Sequence, residues 1–130
     1  MYFKDKVVIV TGAASGIGKA CSLSFAEKGA KVIAVDLNKK GLKETTLKIH
    51  EKNGKAISVM ADITKKDDIN RIVTSAVNDF GKIDILVNCA GISQIRNIED
   101  ITEKEWDKVM SVNLKGTFLM CQSIEKNEKT

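Results

Sequence analysis

The sequence predicts an α/β protein: a doubly wound parallel sheet with strand order 3-2-1-4. Three observations predict it. Short apolar, β-branched runs alternate with stretches of helical periodicity. A glycine-rich turn, Thr11-Gly12-Ala13-Ala14-Ser15-Gly16-Ile17-Gly18, joins the first such run to the first helix. Polar residues then recur where each run ends, on what the alternation makes a single rim of the sheet.

Each element follows from its residues. Val7-Val8-Ile9-Val10 is a continuous apolar run, the pattern of a strand buried on both faces. The helix after the glycine turn carries Ile17, Cys21 and Phe25 on one row, and Gly29 caps its end. Lys31-Val32-Ile33-Ala34-Val35-Asp36 is the second strand. Asn38 caps a helix through about Glu51, with Leu42 and Ile49 on one face, and Asn53-Gly54 stops it. Lys55 to Met60 reads as the third strand, followed by Ala61-Asp62-Ile63-Thr64. Ile69, Ile72, Val73, Ala76, Val77 and Phe80 make a regular amphipathic stripe closed by Gly81. Ile83 to Val87 is the fourth strand, and Asn88-Cys89-Ala90-Gly91 follows it. Thr102-Glu103-Lys104-Glu105 is a capping box. In the helix it opens, Trp106, Val109, Met110, Leu114, Thr117 and Cys121 are expected to form a buried stripe, with Asn113 on it.

Composition narrows the function classes. With 130 residues, the whole of 1–130 reads as one domain with a real core. Hydrophobic content of 43% beside 29% charged residues is ordinary for a soluble protein, and no apolar run is long enough to span a membrane. The N-terminus lacks the apolar core of a signal peptide, so a cytoplasmic address is expected. The net charge of +4 is spread among acids, as in Lys39-Lys40-Gly41-Leu42-Lys43-Glu44, which suits solvated helix faces and argues against nucleic acid as a partner. Cys21, Cys89 and Cys121 have no metal-like spacing and read as reduced core residues. His50 is the only histidine, so neither a metal site nor a Ser-His-Asp arrangement is expected.

The polar residues of the rim suggest a ligand. Gly12 lets the chain leave its strand, while Gly16 and Gly18 leave bare backbone at a helix N-terminus, where a diphosphate can approach the amides and the positive dipole end. Asp36 lies 18 residues beyond Gly18, the spacing of an acid that accepts hydrogen bonds from an adenosine ribose. It also fits a turn or helix-entry aspartate. Asp62 either meets the adenine amino group or helps start the next helix. Asn88 can tie neighbouring strands, and the small residues after it let a flat ligand lie against the backbone; a simple strand-ending turn has the same look. Asn113 reads equally as a satisfied core asparagine.

Taken together, Thr11-Gly12-x-x-x-Gly16-Ile17-Gly18, Asp36, Asp62, Asn88-Cys89-Ala90-Gly91 and Ser111-Val112-Asn113-Leu114 resemble, in order, the motifs of classical short-chain dehydrogenases/reductases. The one departure is Cys89, where that family carries a second asparagine. The resemblance implies a Rossmann-like fold and NAD as cofactor, favoured over NADP by Asp36. It places Gly12, Ser15, Gly16, Ile17 and Gly18 at the phosphates and Asp36 at the ribose, with Leu37 also binding the cofactor. It puts Asp62 and Ile63 at the adenine, and Asn88, Ala90 and Gly91 on the nicotinamide side. Asn113 corresponds to the asparagine of the family's Asn-Ser-Tyr-Lys set, which positions a water for proton relay. The family's serine and Tyr-x-x-x-Lys would follow Thr130, and the only tyrosine is Tyr2. The expectation is therefore a truncated fold. It would be an NAD-dependent oxidoreductase, interconverting alcohol and carbonyl by hydride transfer, that binds NAD but is catalytically incomplete. A non-catalytic NAD-binding module or sensor is the alternative, and a methyltransferase-like domain a third reading. The partner of a longer form would be a small alcohol or carbonyl compound. The loop Ile92-Ser93-Gln94-Ile95-Arg96-Asn97 is expected to border the pocket. The unpaired edge of strand 4 and the partly uncovered last helix predict self-association or a homo-oligomer.

Overall fold

The computed structural model describes residues 2–93 and 95–128. Four parallel strands, β1 (Val7–Thr11), β2 (Lys31–Asp36), β3 (Lys55–Met60) and β4 (Ile85–Asn88), lie in the order β3-β2-β1-β4. Between them run α1 (Gly16–Glu27), α2 (Lys39–Glu51) and α3 (Lys66–Phe80). After β4 come a short 3-10 turn, Ile98–Asp100, then α4 (Glu103–Met110), a π-helical segment Ser111–Gly116, and α5 (Thr117–Glu128).

The sheet is covered on both faces, which is why its central strand reads as an unbroken apolar run. Val7, Val8, Ile9 and Val10 have no exposed surface. Alternation along the strand sends Val7 and Ile9 to the side packed by Ile69, Ile72 and Met120, and Val8 and Val10 to the side packed by Leu42 and Ile49. Full burial of each such side chain contributes about 1.5–3 kcal/mol, so this two-sided core is the main support of the rim above it. Asn38 caps α2 by accepting from the Gly41 N–H at 3.0 Å, and Gly81, with φ of 81°, ends α3. His50 bonds through Nε2 to the Ala56 carbonyl at 2.9 Å, a contact between α2 and β3.

β4 begins at Ile85, two residues later than the sequence suggests. The reason is Asp84. Its main-chain N–H donates to the Val7 carbonyl at 2.9 Å, while the Val7 N–H donates to its carboxylate at 2.8 Å. A side chain thus takes the place of a main-chain rung. Burial works against ionisation of this carboxyl, but the Val7 N–H and the Lys82 and Lys6 charges outweigh it, so Asp84 titrates below the usual aspartate range. Its stabilising contribution is therefore complete above the unfolded-state pKa and is lost as pH falls through the lower native value. Asp84→Ala should cost about 1–3 kcal/mol at neutral pH, because the fully buried Val7 would be left with an unpaired N–H. Asp84→Asn should cost less and lose less stability than wild type between pH 7 and pH 3 in urea titrations. Equal losses in the two proteins would remove Asp84 from the account.

The last helical stretch departs from the expected pattern. Gly116, Leu119 and Met120 are buried, whereas Trp106, Leu114 and Cys121 are exposed, as is Asn113. The wider i→i+5 turns of Ser111–Gly116 shift the phase of everything downstream, so positions in step with Trp106 by the 3.6-residue period do not share one buried face. Trp106 itself is on α4, which carries no buried residue. Thr102 and Glu105 do form the capping box. Cys21 and Cys89 are half-buried, so the cysteines are not the core residues their positions suggested; all three are free thiols. No helix among the described residues is long and apolar enough to cross a membrane.

Candidate functional site: a cleft at the carboxyl ends of the strands

The glycine turn is built by close backbone contact. Gly12 has φ of 68°, and a Cβ there would lie 2.7 Å from the carbonyl carbon and oxygen of Cys89. Gly18 is buried, and its Cβ would fall 2.0 Å from the Gly12 carbonyl oxygen. Its role is thus to seat α1 on the turn, not to bare backbone to solvent as the sequence reading had it. Gly16 and Ile17 are the exposed residues of the first helical turn. Ser15 is the N-cap, yet its side chain makes no capping bond, and no acidic residue sits in that first turn. The dipole end of α1 is therefore open to an anion.

Asp36, at the end of β2, closes the turn from the side. Its Oδ2 accepts from the Ala14 N–H and its Oδ1 from the Asn38 N–H, both at 3.0 Å. A carboxylate has acceptor capacity beyond those two bonds. Thr11, fully buried, accepts on Oγ1 from the N–H groups of Cys89 at 3.2 Å and Ala90 at 3.1 Å, which locks the end of β4 to the turn. Thr45 donates to the Ala13 carbonyl at 2.8 Å from the other side.

At the end of β3, Asp62 accepts from both the hydroxyl of Thr64 at 2.6 Å and its N–H at 2.9 Å. The Thr64 hydroxyl is the main influence holding Asp62 below the usual carboxylate range; partial burial opposes it, and the Thr64 N–H and Lys65 assist. The Asp62 N–H in turn donates to Asp68 at 2.8 Å. Asp62 therefore shapes the entry to α3 and still faces the cleft.

These residues enclose one cleft of about 520 Å³. Gly12, Ser15, Gly16, Ile17, Gly18, Asp36, Leu37, Asp62, Ile63, Ala90 and Gly91 all line it. Asn88 and Asn113 do not. The Asn88 amide is 3.7 Å from the Cys121 sulfur, so it reaches α5 and not a neighbouring strand. Asn113 accepts from the Ile92 N–H and donates to the Ile92 carbonyl, both at 2.8 Å. It clamps the chain after β4 to the π-helical segment. Ile92 lines the cleft, Arg96 instead pairs with Glu105 at 3.3 Å, and Gln94 lies outside the described residues.

Several contributors are not singled out by the sequence. Asp68 was legible as an acid in the first turn of a helix. Thr45 gave no signal. Lys108 and Val112 also line the cleft, and their spacing of four residues, continued to Gly116, was the available sign. Cys89 lines the cleft as well, but burial, then its neighbour Cys21, pushes its thiol pKa up, so it is a poor nucleophile.

Known proteins share this fold. The chain is 48% identical over 120 residues to an NAD-dependent glycerol dehydrogenase of Listeria innocua, covering 92% of this chain and 46% of that one. The crystal structure of a short chain dehydrogenase from Bacillus anthracis superposes with a TM-score of 0.92 at 38% identity, over 96% of this chain and 50% of the other. An actinorhodin polyketide ketoreductase variant solved with NADPH gives 0.88 at 28% identity, over 92% and 46%. The chain spans about half the length of these relatives. The family model for short chain dehydrogenase matches residues 6–128, and the chain belongs to that family.

Proposed function

We propose that the cleft holds a nicotinamide dinucleotide, NAD in preference to NADP, and that the protein is the cofactor-binding part of an alcohol or carbonyl oxidoreductase. The observation that carries this reading is Asp36, whose carboxylate is hydrogen-bonded to Ala14 of the glycine turn while lining the same cleft as Gly16 and Ile17. An acid and a helix N-terminus are thereby held side by side, as a ribose next to a diphosphate requires. Gly12 and Gly18 keep the turn free of side chains. Asp36 and Leu37 serve the ribose, Asp62 and Ile63 the adenine, and Ala90 and Gly91 the nicotinamide side. Asn88 contributes by holding the end of β4, and Asn113 by fixing Ile92. The bound dinucleotide supplies or accepts the hydride.

We assign the whole of 1–130 to this one domain and expect it to act in the cytoplasm on a small alcohol or carbonyl compound in a longer form. Trp106, Leu114 and Phe118, each more than half exposed, support self-association.

The polypeptide 1–130 should bind NAD yet transfer no hydride by itself. A carbonyl that gains hydride must also gain a proton, and an amide such as Asn113 does not titrate near neutral pH. A positioned acid typically contributes ~10²–10⁴-fold. Calorimetry with NAD, NADP and S-adenosylmethionine, beside NADH oxidation against a panel of ketones and aldehydes, tests both halves. Absence of NAD binding would overturn the reading. Turnover abolished by Asn113→Ala would show that the chain has its own proton donor. Light scattering on the same sample should report dimers or larger species at tens of micromolar, and a stable monomer would count against self-association.

A further inference from the structure

We propose that Lys108 is a specificity-determining residue of the cleft: it offsets the negative charge of Asp36 and Asp62 and so limits how strongly the site rejects an additional phosphate on the adenosine ribose. The proposal rests on the dinucleotide reading above.

Lys108 is the only lysine or arginine lining the cleft among the described residues. Its companions there include two carboxylates, Asp36 and Asp62, whose hydrogen bonds come from main-chain N–H groups and the Thr64 hydroxyl; the charge of Lys65, which does not line the cleft, also acts on Asp62. Lys108 is exposed and belongs to none of the ion pairs of the described residues. A lysine in the last turn of a helix ordinarily answers the dipole of that helix. That explanation fails here, because α4 runs without interruption into the π-helical segment and α5, so the carbonyls near Lys108 are not a free helix end.

Its direction follows from its row. Lys108, Val112 and Gly116 succeed one another at intervals of four. Val112 lines the cleft, and Gly116 backs onto Ile63, where a Cβ would lie 2.7 Å from the Ile63 Cδ1. The row therefore faces the loop that carries Asp62 and Ile63. A flexible four-carbon stem leaves the ammonium free to swing over that end of the cleft. An anionic ligand entering beside two carboxylates meets repulsion, and Lys108 is the one cationic side chain among the described residues of the lining that can offset it. NADP is the more strongly affected dinucleotide, because it brings the larger negative charge into a cleft that already holds two carboxylates.

The test is calorimetric binding of NAD, NADP and 2′-phospho-AMP by the full chain and by Lys108→Gln and Lys108→Glu, each in the wild-type and Asp36→Ala backgrounds. Denaturant midpoints confirm that the variants fold alike. Lys108→Gln should weaken NAD about two- to threefold and NADP about tenfold, with Lys108→Glu more severe. The NADP effect should shrink in high salt, as an exposed charge interaction does. The Asp36→Ala background keeps NADP affinity within the measurable range. Equal weakening of the two dinucleotides, or none, while wild type binds NAD would overturn the role of Lys108 and leave the dinucleotide site standing. Failure of the wild-type chain to bind either dinucleotide would overturn the site itself, and the proposal with it.

Discussion

Gly18→Ala is expected to abolish dinucleotide binding and to lower stability by about 1–3 kcal/mol. The new Cβ would lie 2.0 Å from the Gly12 carbonyl oxygen and 2.5 Å from its carbon. Both are backbone atoms, so no rotamer change relieves the overlap. Gly12 has little room to retreat either, because the space where its Cβ would stand is already filled by the backbone of Cys89 and Ala90. The displacement must therefore pass into α1, β1 and the end of β4 together, and these form the floor of the cleft. Gly16→Ala is the control. Space is open around Gly16, but its φ of 54° costs a side chain about 1–2 kcal/mol. Urea titration should show both variants destabilised, while calorimetry should show NAD binding lost more than tenfold only in Gly18→Ala. If Gly18→Ala binds NAD within threefold of wild type, the close contact does not shape the site.

Replacing Asp36 should move cofactor preference by one to two orders of magnitude. A carboxylate a few ångströms from a ribose 2′-phosphate is repelled by up to ~4 kcal/mol at a moderate effective dielectric, and solvent exposure reduces this to about 1–3. Wild type should therefore favour NAD over NADP by roughly tenfold to a hundredfold or more, and Asp36→Ala should narrow the gap to a few-fold. The same change removes the acceptor for the Ala14 and Asn38 N–H groups and should cost about 1–2 kcal/mol of stability. Asp36→Asn separates the two effects. It keeps one carbonyl acceptor and loses the charge, so stability should recover in part while discrimination should not. NADP bound by wild type as tightly as NAD would overturn the charge argument.

The sheet was legible because its information is local. Val7 to Val10 reads as a two-sided strand, Asn38 as a cap, Gly81 as a stop, and alternation with helices implies both the parallel order β3-β2-β1-β4 and a rim at the strand ends. The glycine turn, Asp36 and Asp62 were legible for the same reason, since each lies just past a strand whose end is marked in the sequence.

What required the tertiary structure were contacts that no periodic pattern names. Thr11 braces Cys89 and Ala90 from far away in the chain, while Gly18 buried against Gly12 and Asp68 bonded to the Asp62 N–H are short-range contacts fixed by how each turn folds back on its helix. The last helix shows the limit most clearly. Its apolar spacing implied a buried stripe, but a periodic pattern names a face without naming what covers it, and the π-helical turns reset the phase at Ser111. Only the folded chain showed Asn113 on the outside, with its amide on Ile92, and Lys108 turned to the cleft. A residue's local period is written in its neighbours along the chain. The partner of its side chain is decided by which other segment the fold brings against it.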